Sequence, residues 1–180
     1  MRVKRGQQLE LDIMQLAFGG KGVARVDGMA VFVDRTVPED RVLVRIVKKK
    51  KKYAEARVIE LIEASPMRVP APCSYYGICG GCKWQFLEYQ RQLRFKQQQV
   101  EESLAHIGQI REVAVHPSIG SQRIFGYRNK MEFSCAARRW LLPEELGRED
   151  VDAGMALGLH VPGTYFKVLD IDACLLQPDL

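Results

Sequence analysis

The sequence predicts two domains joined by a linker at 65–72: an N-terminal all-β, OB-like barrel over residues 1–64, and an α+β domain on an antiparallel sheet over residues 73–180. Three observations carry this. Residues 7–63 hold five short apolar runs separated by glycine-bearing turns, the pattern of a small barrel. Residues 64–72 hold three prolines in nine positions, which favours an extended connector. One helix-period stretch and then several strand-like segments follow, as in an α+β unit.

In the first domain, residues 8–14 alternate loosely and Gly19-Gly20-Lys21-Gly22 turns the chain. Residues 22–26 lead to Asp27-Gly28, a hairpin signal, and 29–33 return as an apolar strand. Thr36-Val37-Pro38-Glu39-Asp40 reads as a loop. Val42, Val44 and Ile46 alternate with Leu43, Arg45 and Val47, so this strand is expected to be buried on both faces at its start. Residues 54–62 fit a fifth strand or a short helix. In the second domain, Phe86, Tyr89, Leu93, Val100, Leu104 and Ile107 recur at helical spacing, predicting an amphipathic helix that ends at Gly108. Strands are expected around 113–116, 127–137, 154–160 and 165–171, with Val161-Pro162-Gly163-Thr164 as a hairpin between the last two.

Of the 180 residues, 47% are hydrophobic and 27% charged, enough apolar material for a core, which excludes a disordered chain or a disulfide-stapled mini-protein. No apolar run approaches the roughly 18 residues of a membrane span, and Met1-Arg2-Val3-Lys4-Arg5 leads into no apolar signal core. The chain is expected to be a cytoplasmic monomer that does not bind membranes. Cytosolic thiols stay reduced, so the five cysteines read as metal ligands or core residues.

The net charge of +5 is unevenly placed. Residues 41–58 carry eight basic residues against Glu55 alone, whereas residues 139–180 carry three basic and eight acidic. A basic front half attracts a polyanion, and nucleic acid is the expected partner. Lys48, Lys49, Lys50, Lys51 and Lys52 should project between two strands, where with Arg41, Arg45 and Arg57 they line one face of the barrel or form a solvated hairpin tip. Arg128 and Lys130 alternate with Tyr127, Met131 and Phe133 and so face away from that apolar set. Tyr75, Tyr76, Trp84 and Phe86 offer stacking faces for bases or pack over the neighbouring cysteines.

Cys73-x5-Cys79-x2-Cys82 is the sharpest signal in the chain. A two-residue gap lets neighbouring thiolates converge, and Gly80-Gly81 frees backbone N–H groups to bond sulfur. A fourth ligand must come from Cys135, Cys174 or a histidine. Cys135 shares a face with Tyr127, Met131 and Phe133 and is expected in the core. Cys174 follows the last strand, whose end can deliver it to the loop, while His106, His116 and His160 stand singly. Zinc in an all-cysteine site draws on two close pairs, and this chain has one. Three clustered cysteines and a remote fourth favour an iron–sulfur cubane, with zinc as the competing metal.

The segment Cys73-Ser-Tyr-Tyr-Gly-Ile-Cys-Gly-Gly-Cys-Lys-Trp-Gln85 resembles the RNA uridine C5-methyltransferases, the bacterial family that makes 5-methyluridine in rRNA and tRNA. The N-terminal region is similar to the family's TRAM domain, an OB-like RNA-binding module. Gly126-Tyr-Arg-Asn-Lys-Met-Glu-Phe-Ser134 resembles the strand that opens its central domain, and Gly158-Leu-His160 with Val168-Leu-Asp-Ile-Asp-Ala-Cys-Leu-Leu176 resembles the segment bearing the last cluster cysteine. Phe86 departs from the histidine often found there. The resemblance implies a [4Fe–4S] cluster on Cys73, Cys79, Cys82 and Cys174. It also implies a C-terminal Rossmann-like domain, which in the family binds S-adenosyl-L-methionine and carries the nucleophilic cysteine and the general base. No strand, glycine-rich loop and helix of that kind occurs in these 180 residues. The chain is therefore expected to be the N-terminal, RNA-binding and iron–sulfur portion of an RNA (uracil-5-)-methyltransferase, with no catalytic residue of its own. The other reading is a stand-alone zinc-binding OB-type module for nucleic acid.

Overall fold

A computed structural model describes residues 3–178. The chain forms two compact units, one of residues 1–70 and 86–120, the other of residues 71–85 and 121–180.

The first unit is built on six strands: β1 (Gln8–Asp12), β2 (Gln15–Leu16), β3 (Gly22–Val26), β4 (Met29–Val33), β5 (Arg41–Lys49) and β6 (Tyr53–Glu63). They hydrogen-bond in the order β1-β5-β6-β4-β3-β2. β1 and β2 follow each other in sequence yet occupy opposite edges of this order. Between them Ile13 N–H donates to Asp40 O and Met14 N–H to Val23 O, each at 2.9 Å. The bent first strand thus serves both edges and closes the sheet into a barrel, leaving little free edge. The expected Asp27-Gly28 hairpin joins β3 and β4, and the ambiguous segment after the lysines is strand β6, paired antiparallel with β5 and parallel with β4.

Val42, Val44 and Ile46 are buried with Val31, Val33, Ala54 and Ala56. Their neighbours Arg45 and Val47 are exposed and Leu43 is half-buried. The double burial expected of β5 does not occur, because an antiparallel barrel wall has one inner face.

The proline-bearing segment, expected to be an extended connector, is tied to this barrel through residues 65–69. Asp40, 1% exposed, accepts from the Val37 backbone N–H at 2.7 Å and from the Ser65 N–H at 3.0 Å. Arg68 grips the same carboxylate through Nε and Nη2, both at 2.7 Å, and its guanidinium lies 4.5 Å from the centre of the Phe86 ring. Val69 N–H donates to Phe86 O and Glu88 N–H to Met67 O. These bonds close residues 71–85 into an excursion from the barrel unit.

The predicted helix is α1 (Tyr89–His106). It clusters with the barrel, not with the cysteine loop, so the expected α+β grouping is corrected: the second unit has no α-helix among its described residues. The physical reason lies in the turn before the helix, where Phe86 and Leu87 are buried in the first unit. Gln99 Nε2 also donates to Ala17 O at 3.2 Å. The helix C-cap is Ile107, and Gln109 rather than Gly108 takes the left-handed conformation. No helix among the described residues is long and apolar enough to cross a membrane.

The second unit holds a three-stranded antiparallel sheet, β7 (Ser134–Ala136), β8 (Ala156–His160) and β9 (Val168–Asp170), in the order β7-β8-β9. A Cβ at Gly158 would collide with the Leu169 carbonyl oxygen, which makes glycine obligatory where β8 meets β9. The strand expected over 127–137 shrinks to three residues, and 113–116 forms no strand. Instead Gly126 N–H donates to Leu175 O at 2.8 Å and Arg128 N–H to Leu176 O at 2.9 Å. Tyr127 and Phe133 are consequently exposed, and Cys135, expected in the core, is exposed with them.

Candidate metal centre and nucleic-acid interface

Three sets of bonds converge the cysteines. Within the loop, Tyr76 N–H donates to Cys73 O and Cys79 N–H to Tyr75 O, a turn that wraps the chain between the first two thiols. Gly80 N–H then donates to His160 O at the end of β8, and a Cβ on Gly80 would stand 3.1 Å from that oxygen. Finally, Tyr75 Oη bonds the Asp172 carboxylate at 3.2 Å and accepts from the Asp172 N–H at 3.1 Å, two residues before Cys174. Residues 126–128, bonded to 175–176, hold the same segment from its far side.

The result is a cavity of about 330 Å³ lined by Cys73, Cys79, Cys82 and Cys174 with Tyr75, Tyr76, Gln85, Arg128 and Lys130. All these residues belong to the second unit. No three His, Cys, Asp or Glu side chains among the described residues are grouped to hold a single metal ion. The four thiols share a cavity without such close grouping.

Burial pushes the Cys79 thiol above the ordinary cysteine range; the Gly81 N–H, 3.3 Å from its sulfur, works against this, while the other three thiols of the cavity add to the rise. Burial likewise raises Cys82, opposed by Gln85 and, more weakly, by Arg128. Neutral thiols are thus favoured at Cys79 and Cys82. Their contribution to stability is complete below the usual cysteine range and is lost as pH rises through their raised folded-state values.

Gln85 was not foreseen. Its Oε1 accepts from the Cys73 N–H at 3.2 Å, so it braces the loop at both ends. Its place three residues after Cys82 in the motif was the available signal. His160 also gains a role, since its carbonyl holds the loop and its Nε2 lies 2.8 Å from Ser134 Oγ. Of the four aromatic residues flanking the cysteines, Tyr75 and Tyr76 line the cavity and Tyr76 Oη donates to Lys83 O. Phe86 is instead buried in the first unit beneath Arg68.

The basic residues divide between the units. Lys48 and Lys49 end β5, and Lys50, Lys51 and Lys52 form its exposed turn into β6. Lys48 pairs with Glu55 at 2.9 Å, which raises the lysine pKa and lowers that of the carboxylate. Arg45 stands directly opposite Arg57 across the β5–β6 pair, and both are exposed. Like charges facing each other on a sheet are destabilising by themselves. Arg128 and Lys130 lie in the second unit, and Lys130 pairs with Glu132 at 2.8 Å.

Residues 2–59 match the TRAM domain model. The chain is 46% identical over 167 residues to a protein of Bacteroides thetaiotaomicron named as an uncharacterized RNA methyltransferase, covering 92% of this chain and 37% of that relative. A protein of Chlorobaculum tepidum with the same description is 42% identical, covering 99% of this chain and 38% of the relative. The crystal structure of Pyrococcus abyssi tRNA (uracil-54, C5)-methyltransferase with S-adenosyl-L-homocysteine superposes with a TM-score of 0.53 at 26% identity, over 94% of this chain and 33% of that one. The chain carries a TRAM domain at its N-terminal end and is similar to proteins named as RNA methyltransferases, spanning a little over a third of the length of these two curated relatives.

Proposed function

We propose that the chain is the RNA-binding and iron–sulfur portion of a cytoplasmic, S-adenosyl-L-methionine-dependent RNA (uracil-5-)-methyltransferase. The observation that carries the reading is the meeting of Cys73, Cys79, Cys82 and Cys174 around one cavity, although Cys174 is 92 residues beyond Cys82 in sequence. All-thiol lining is the donor chemistry of an iron–sulfur cubane. When bound, the [4Fe–4S] cluster supplies a cross-link between the 71–85 loop and the segment after β9; methylation of uracil by addition and elimination needs no electron transfer. The Gly81 N–H on Cys79 and the Gln85 side chain orient the thiolates for it. The uracil-specific neighbour supports the substrate class, and methyl transfer itself belongs to the whole enzyme.

Protein purified without oxygen should be brown and hold about four iron and four sulfide per chain. A colourless protein with one zinc per chain would replace this reading with the zinc-binding module.

The RNA surface is read as Arg45 and Lys48, Lys49, Lys50, Lys51 and Lys52 on the barrel, with Lys130 as a further phosphate contact in the second unit; Arg128, which the sequence groups with Lys130, lines the cysteine cavity. The Arg45–Arg57 opposition supports it, because a phosphate bound between the two would relieve the repulsion. Changing Lys50, Lys51 and Lys52 together to glutamine should weaken RNA binding. The slope of log affinity against log salt should fall by about 2, at ~0.7 for each phosphate of a single strand that is no longer neutralised. An unchanged slope in a filter-binding titration would remove the turn from the interface.

A further inference from the structure

Two cations line the cysteine cavity, and their situations differ. Lys130 is paired with the Glu132 carboxylate at 2.8 Å. The Arg128 guanidinium has no carboxylate pairing of that kind among the described residues; its nearest described side-chain bond is to Met131 Sδ at 3.6 Å. Its backbone N–H is fixed on Leu176 O, two residues from Cys174. Arg128 is therefore held at the cavity wall with its charge uncommitted.

Four thiolates outweigh the positive charge of the cubane they hold, so the loaded centre is an anion. Partly buried, such an anion is costly unless a cation stands close. We propose that Arg128 is the counter-charge of the loaded centre, a positioning residue that retains the cluster rather than a contact to RNA phosphate. This rests on the iron–sulfur reading of the cavity and refines the role of one residue in it. A guanidinium suits the task because it stays charged at any working pH and is weakly hydrated.

The test compares iron release to a chelator, without oxygen, from full chains loaded with the cluster: wild type, Arg128→Gln, Arg128→Lys and Lys130→Gln. Arg128→Gln should release iron faster than wild type, with the difference narrowing as salt screens the attraction. Arg128→Lys should return release toward the wild-type rate, and Lys130→Gln should leave it unchanged. Affinity for a single-stranded RNA oligonucleotide should be the same for Arg128→Gln and wild type. Wild-type iron retention in Arg128→Gln overturns the inference, and a loss of RNA affinity beside it would return Arg128 to the phosphate contacts. Equal acceleration in Arg128→Lys and Arg128→Gln also overturns it, since that would mark a packing defect and not a missing charge. Wild-type protein without iron and sulfide refutes the underlying reading and the inference together, and the metal content separates that case from the others.

Discussion

Replacing Asp40 with alanine is expected to destabilise the barrel unit by about 3–5 kcal/mol, the cost of breaking a buried ion pair from one side. The carboxylate is fully buried and serves four donors: two nitrogens of Arg68 and the backbone N–H groups of Val37 and Ser65. Alanine leaves all four without that acceptor, and the Arg68 side chain, only 21% exposed, cannot turn fully to water without leaving the Phe86 ring. The double variant Asp40→Ala/Arg68→Met should be less destabilised than Asp40→Ala alone, because the stranded charge is gone. Urea unfolding followed by circular dichroism reads both. A loss below about 1 kcal/mol in Asp40→Ala would mean that the pair behaves like an exposed surface bridge.

The second large effect separates two cysteines that composition treats alike. Cys174→Ser should lose most of the iron and sulfide, whereas Cys135→Ser should keep the wild-type content. Cys174 lines the cavity with the three loop cysteines, while Cys135 lies exposed on β7. Loading of the wild type should also improve as pH rises toward the cysteine range. Burial favours the protonated Cys79 and Cys82 thiols, and those protons must leave before sulfur binds metal. Full loading of Cys174→Ser, with loss in Cys135→Ser, would move the fourth ligand to β7 and contradict the assignment.

Much of the barrel was legible because its signals are local. The alternation of Val42, Val44 and Ile46, the Asp27-Gly28 turn and the short runs between glycines each report a period or a turn within a few residues. The cysteine loop was legible for the same reason. The strand over 127–137 misled because its alternation is genuine but unused: residues 126–128 spend their backbone donors on 175–176, and only residues 134–136 enter the sheet. Cys135 followed that error onto an exposed face. Gln85 and Asp172 carried no period at all, and their roles arise from what lies across the fold.

By itself the sequence determined the kinds of element in the barrel, the excess of positive charge at its β5–β6 end, and the three thiols spaced to act together. Tertiary structure alone decided the partition. Helix α1 and the 65–70 segment joined the barrel because Asp40 meets Arg68 and because residues 67–69 bond to 86–88, pairings between positions that no local period connects. It likewise decided that Cys174 would stand with Cys73, Cys79 and Cys82, through Tyr75 on Asp172 and through 126–128 on 175–176. Local preference selects strands and turns within a few residues, whereas which distant groups satisfy one another's buried charges and hydrogen bonds is settled only when the chain folds.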